Sequence, residues 1–205
     1  MTELPAPTSI RLSAEAIKVL AHPLRARLLS ALRLDGPATA TALAARLGTN
    51  TGATSYHLRK LASVALVEET GDGRGRERWW RATTQMHEFN DDATEDHPDA
   101  KASAGWLREH YVRTFVEQAD RWLANHDAWP IEWRRLAGSA DYVLDINPAE
   151  LESLTKELWA VLIRVAAETE AAAAAEAGDE PTDPAMRRQR VVVYLHNFPE
   201  GEQPR

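Results

Sequence analysis

The sequence predicts a mainly α fold with a small β component, in two parts. Short amino-terminal helices closed by a hairpin come first, followed by a carboxy-terminal α/β half of longer helices with two short strands. Three observations predict it. Apolar residues recur at helical spacing in two short blocks, residues 39–47 and 51–63, separated by Gly48. A glycine-rich stretch, residues 71–76, divides two strand-like runs. Beyond residue 100, apolar stripes persist over windows long enough for extended helices.

Residues 1–12 contain prolines and no periodicity, and are expected to be a flexible terminus. The block 39–47 places Ala42, Leu43 and Leu47 on one side, and Gly48 supplies the chain reversal of a helix-turn-helix. In the second helix, Thr54, Leu58, Leu61 and Ala65 are expected to face the core, which turns Ser55, Tyr56, Arg59 and Lys60 outward. The strand-like runs 66–70 and 77–83 form a hairpin whose glycines permit positive φ and whose tip carries Arg74 and Arg76. On the second strand, Trp79 and Trp80 point to opposite faces, so one is core and the other exposed.

The stretches LAHPLRARLLSAL (20–32), TALAARLGTNTGATSYHLRKL (41–61) and ALVEE (65–69), followed by the hairpin, resemble the ArsR-type winged-helix family of bacterial transcription regulators. The resemblance covers roughly the first 85 residues and makes 13–85 an expected winged helix-turn-helix DNA-binding domain. It implies a homodimer, more often a repressor than an activator, that binds double-stranded DNA. The helix 51–63 would enter the major groove, with Ser55, Tyr56 and Arg59 reading base edges and Thr51 and Lys60 on phosphates. Arg74 and Arg76 would meet backbone or minor groove from the wing. Metal-sensing members of that family carry cysteines on the first helix of the motif, whereas this chain has none anywhere.

The lack of cysteine also excludes disulfides and thiolate nucleophiles. The histidines form no compact helical pair suited to a metal, and no cofactor is called for. Neither a G-x-S-x-G elbow, a Walker loop nor H-E-x-x-H is present, so an enzyme is not expected and no catalytic residue is assigned. With no signal pattern and no apolar run long enough to span a bilayer, a cytoplasmic protein without membrane contact is expected. The net charge of −7 hides an asymmetry. Residues 1–85 hold 12 Lys and Arg against 7 Asp and Glu, net +5, while 86–205 hold 12 against 24, net −12. A basic head on an acidic body suits a nucleic-acid partner for the head alone.

Residues 86–100, acidic and with Pro98, are expected to be a solvated linker, and 101–205 a helical dimerisation and effector-binding region. There the helix 101–126 carries a broad stripe of Ala104, Leu107, Tyr111, Phe115 and Trp122. The run 141–146 alternates like a half-buried strand, and Asn147-Pro148-Ala149-Glu150 starts a second long helix. Residues 191–198 are expected to form the last short strand. Trp106 and Trp159 lie off the main stripes and are candidate contacts for a small apolar effector, although an unliganded regulator would use the same rings in its core or subunit interface. The competing reading of the whole is a winged helix that binds protein, which predicts an apolar outward face on helix 51–63; Arg59 and Lys60 stand against it.

Overall fold

A computed structural model describes residues 9–71, 77–89, 91–175 and 183–201. The chain opens with β1 (Ser9–Arg11) and α1 (Ala14–Leu20), whose N-cap Ser13 accepts a hydrogen bond from the Ala16 amide. α2 (Pro23–Asp35) starts with proline in its first turn and His22 as N-cap, and stops at Gly36, where φ is +87°. Then follow β2 (Ala38–Thr39), α3 (Ala40–Leu47) and α4 (Thr51–Ala62). Thr39 caps α3 and Asn50 caps α4, each with its side-chain oxygen on an amide of the first turn. Gly48 takes φ +65° between them, the left-handed C-terminal residue that costs glycine least.

α4 buries Thr54, Leu58 and Leu61, one face at helical spacing, against α2 and α3. Two positions depart from the expected pattern. Ala65 lies past the end of α4 in a turn with φ +57° and is exposed, so Leu66 fills the core instead. In α3 the buried residues are Leu43 and Ala44, while Ala42 is exposed beside the N-cap.

β3 (Val67–Glu69) and β4 (Trp79–Ala82) form the hairpin, and β2 pairs with the other edge of β4, giving an antiparallel sheet of order β2-β4-β3. Trp80 is buried and Trp79 exposed, the alternation the pleat requires. Trp80 joins Leu28, Leu43, Leu58, Leu61 and Leu66 in one core that also takes in Leu107 from the body.

The termini of this unit are more ordered than composition suggests. Residues 1–8 of the expected flexible end lie outside the described residues, but 9–11 pair in parallel with β5 (Met86–Glu88), the Leu12 amide bonds to the Glu88 carbonyl at 2.8 Å, and Leu12 is buried. The acidic stretch is likewise not a solvated linker throughout: β5 is followed by a 3-10 turn at Asp91–Ala93, and Thr94 and Ala100 are buried. Its carboxylates face water while its backbone and small residues face the core. Pro98 initiates α5 (Pro98–Asn125) rather than breaking the chain, because a first-turn amide needs no partner within the helix. α5 packs along α1 through Ala100, Ala104 and Leu107.

After α6 (Ile131–Arg134) comes α7 (Pro148–Ala175), with the expected reciprocal cap: Asn147 Oδ1 accepts from the Ala149 and Glu150 amides, and Glu150 accepts from the Asn147 amide. Neither expected carboxy-terminal strand forms among the described residues. Tyr142 and Val143 are about nine-tenths exposed, and 191–198 runs extended without a ladder. Alternation marks a strand only where a partner edge is within reach, and neither run has one. Among the described residues no helix is long and apolar enough to cross a membrane.

Candidate nucleic-acid interface

The caps and core contacts of α4 decide what its outer face presents. With Leu58 and Leu61 locked inward, Tyr56, Arg59 and Lys60 stand exposed, Thr51 is exposed at the first turn and Ser55 is half-buried. Lys60 lies over the Tyr56 ring, 5.9 Å from its centre, a cation–π contact that holds both side chains on one surface. Three nearby carboxylates are engaged elsewhere: Glu15 with Lys18 at 2.8 Å, Glu68 with Arg81 at 2.7 Å and Glu69 with Arg78 at 2.9 Å. Among the described residues Arg59 and Lys60 have no ion-pair partner, so both cations are available to a polyanion.

Thr51, Ser55 and Arg59 line a cleft of about 390 Å³ together with Thr39 and Thr41 at the start of α3 and Glu77 and Arg78 on the hairpin. α3, α4 and the hairpin therefore converge on one concave surface of hydroxyls and two guanidinium groups, with the Glu77 carboxylate among them. Arg78 was not among the residues read from the sequence. Its signal lay in the period-two alternation with Trp80, which places the two on one side of the strand. Arg74 and Arg76 lie outside the described residues.

Arg27 and Arg46 brace the motif from behind. Arg27 donates to the Leu47 carbonyl at 3.1 Å, at the negative end of α3, and Arg46 pairs with Asp35 on α2. Removing the Arg27 hydrogen bond should tilt α3 relative to α4 without touching the outer face of α4. Arg27→Ala is thus expected to lower the melting temperature by a few degrees, about 0.5–1.5 kcal/mol for one hydrogen bond, as read by thermal unfolding. An unchanged melting temperature would show the hydrogen bond to be dispensable.

Residues 20–70 match the model of a family described as a helix-turn-helix domain. The amino-terminal region is a winged helix-turn-helix domain. The match falls on the residues whose order resembles ArsR-type regulators. Solved structures similar to the chain include one described as a possible transcriptional regulator for arsenical resistance, 28% identical, covering 54% of this chain and 95% of that one, with a TM-score of 0.31. Another is the homodimeric winged helix-turn-helix DNA-binding domain of a possible ArsR-family regulator from Mycobacterium bovis, 23% identical, covering 55% of this chain and 82% of that one, TM-score 0.32. Reduced HlyU from Vibrio cholerae is 24% identical, covering 47% and 85%, TM-score 0.31. Among curated proteins none matches the chain.

The two tryptophans read as effector contacts stand on different helices. Trp106, on α5, packs against the core of the helix-turn-helix domain and stacks on His110 with ring centres 5.0 Å apart and planes nearly parallel. Trp159 is half-buried midway along α7. A separate aromatic chain runs through Trp122, Trp129 and Trp133, the last donating its indole N–H to the Ala185 carbonyl at 2.9 Å. Among the described residues, no group of three or more His, Asp or Glu could hold a metal ion.

Proposed function

We propose that the chain is a sequence-specific DNA-binding transcription regulator of the ArsR type, a cytoplasmic homodimer that represses until a small apolar molecule releases it. The observation that carries the DNA reading is the convergence of Thr51, Ser55 and Arg59 with the start of α3 and the hairpin, beside the exposed Tyr56 and Lys60, with Arg59 and Lys60 in no ion pair among the described residues. Tyr56, Ser55 and Arg59 read base edges, and Thr51 and Lys60 hold phosphates. Arg74 and Arg76 extend the contact from the wing. The reading requires no catalysis. A protein-binding winged helix is disfavoured because the exposed face of α4 is hydroxylic and cationic rather than apolar.

Selection of fragments from random duplex DNA tests this directly: a palindromic site is the expected product, and recovery of no enriched sequence counts against the reading. Arg59→Ala is expected to weaken specific binding by about 1–3 kcal/mol, the worth of a good base contact, while Lys60→Ala weakens cognate and scrambled duplexes alike. Titrations on both duplexes at several salt concentrations separate the two roles.

The dimer reading draws on α5 and α7. Val112, Val116 and Leu123 on the first and Val161 and Val165 on the second are exposed, and a second copy would cover them. Light scattering should find a species of twice the 22.8 kDa chain mass; a monomer with full affinity for a two-half-site operator would contradict it. For the effector, Trp106 and Trp159 make intrinsic fluorescence the natural reporter. Saturable quenching by an apolar compound, paired with loss of DNA affinity, is the expected pattern. Release of DNA by divalent metal alone would speak against it.

A further inference from the structure

The flank of α4 that faces away from the wing carries a second cluster, of one guanidinium and two imidazoles. Ser55 and His57 are two residues apart and so lie about 200° apart around the helix, which turns His57 toward the start of α2 when Ser55 faces the cleft. There His57 meets His22, the N-cap of α2, with ring centres 4.5 Å apart and planes tilted by 38°. Arg25 stands one turn further into α2, and Tyr56 sets its ring edge against His57 at 5.2 Å. His22 Nδ1 is occupied by the Leu24 amide at 3.1 Å.

Two atoms of this cluster are out of order by the ordinary rules of protein interiors. Arg25 Nε and His57 Nδ1 are buried and have no hydrogen-bond partner among the described residues. Each such atom forfeits its hydration without recompense, typically about 1–3 kcal/mol. The charges also oppose one another. Burial first, and then Arg25, hold His22 below its ordinary range; burial, His22 and Arg25 do the same to His57; and no carboxylate is among the causes. The amino-terminal end of the thirteen-residue α2, with its partial positive charge, points at the same place. A guanidinium, two imidazoles able to take a proton and the positive end of a helix dipole, gathered on a flank of α4, lack a single component, which is an anion.

We propose that His22, Arg25 and His57 form a backbone-phosphate site on the far flank of the recognition helix, so that a duplex seated on α4 is held from both sides, by the wing on one and by this notch on the other. The inference rests on the DNA-binding reading and adds to it a contact that carries no sequence information. The phosphate pairs with the Arg25 guanidinium, favours the protonated imidazole of His57, and so fixes how far along the groove α4 can slide.

The test measures duplex affinity against salt for the full chain and three variants: Arg25→Gln, His57→Gln, and His22→Asn, which retains an N-capping side chain while removing the imidazole. Arg25→Gln and His57→Gln are each expected to lower affinity several-fold, equally on cognate and scrambled duplexes. For each phosphate that a variant no longer neutralises, the slope of log affinity against log salt becomes shallower by about 0.9. Their melting temperatures should hold or rise, since each removes an unpaired buried group. Unchanged affinity and slope, a loss confined to the cognate duplex, or a loss that tracks a fallen melting temperature with the slope intact would each overturn the notch. A wild-type chain that enriches no duplex overturns the DNA-binding reading itself, whereas a binding wild type with indifferent variants overturns only the phosphate site.

Discussion

Leu58→Ala is expected to destabilise the helix-turn-helix domain by about 2–5 kcal/mol, the range for deleting a fully enclosed leucine side chain. Leu58 is completely buried on the inner face of α4, in the same core as Leu28, Leu43, Leu61, Leu66 and Trp80. Removing three methylene-sized groups forfeits their transfer from water and leaves a void that neighbours on capped, short helices can close only in part. Since a domain of this kind is stable by some 5–15 kcal/mol in all, one such substitution consumes much of the margin. Urea titration should show a lower midpoint with an unchanged slope. A loss under about 1 kcal/mol would mean that the core collapses around the gap and that the packing described above is looser than stated.

The comparison with Arg59→Ala sharpens this result, because the two positions are adjacent in sequence and about 100° apart on the helix. Arg59 is exposed and unpaired among the described residues, so its loss should move stability by no more than about 0.5 kcal/mol while costing specific affinity. Leu58→Ala should retain affinity in whatever fraction stays folded. A double dissociation between neighbours separates the residues that hold α4 in place from those that α4 presents.

What could be read in the sequence was what is local. The pair of short helices around Gly48, the cap built by Asn147 and Glu150, and the opposite fates of Trp79 and Trp80 depend on residues within a few positions of one another. The outward set of α4 follows from the inward one. What escaped depends on encounters across the chain. The parallel pairing of Ser9–Arg11 with Met86–Glu88 leaves no local trace, because each strand contributes three residues and its partner lies more than seventy positions away. Residues 86–100 looked like a linker because their acids dominate the composition, while the small and apolar positions that bind them to the core are few. Residues 141–146 alternate as a strand should, but a pattern cannot supply a neighbouring edge. The pairing of His22 with His57 had no sequence signature either, since it is made by the crossing of α2 and α4.

Acidification from pH 7 toward pH 4 is expected to loosen the attachment of α5 to the helix-turn-helix domain, and His87 is the reason. His87, on β5, accepts a hydrogen bond at Nδ1 from Arg33 of α2 at 3.2 Å, while its Nε2 is hydrogen-bonded to the Tyr111 hydroxyl of α5. Arg33 also donates to the Gln85 carbonyl, so one neutral imidazole ties three elements together. Protonation would place a hydrogen on Nδ1 facing a guanidinium. Burial first, and the Arg33 charge second, hold the His87 imidazole down at about 3. In the unfolded chain it titrates near 6.5, so its neutral form contributes full stability above that pH, and the contribution is lost as pH falls from about 6.5 to about 3. Each pH unit inside that window removes up to about 1.4 kcal/mol. His22, His57 and His110 are lowered in the same direction, chiefly by burial, and steepen the decline. The urea midpoint should therefore fall between pH 7 and pH 5, and His87→Gln, which keeps an acceptor for Arg33 but cannot titrate, should flatten the profile at the cost of some stability at pH 7. If His87→Gln retained the wild-type slope, the acid sensitivity would belong to the carboxylates and the other histidines, and the imidazole at the junction of α2, β5 and α5 would have no part in it.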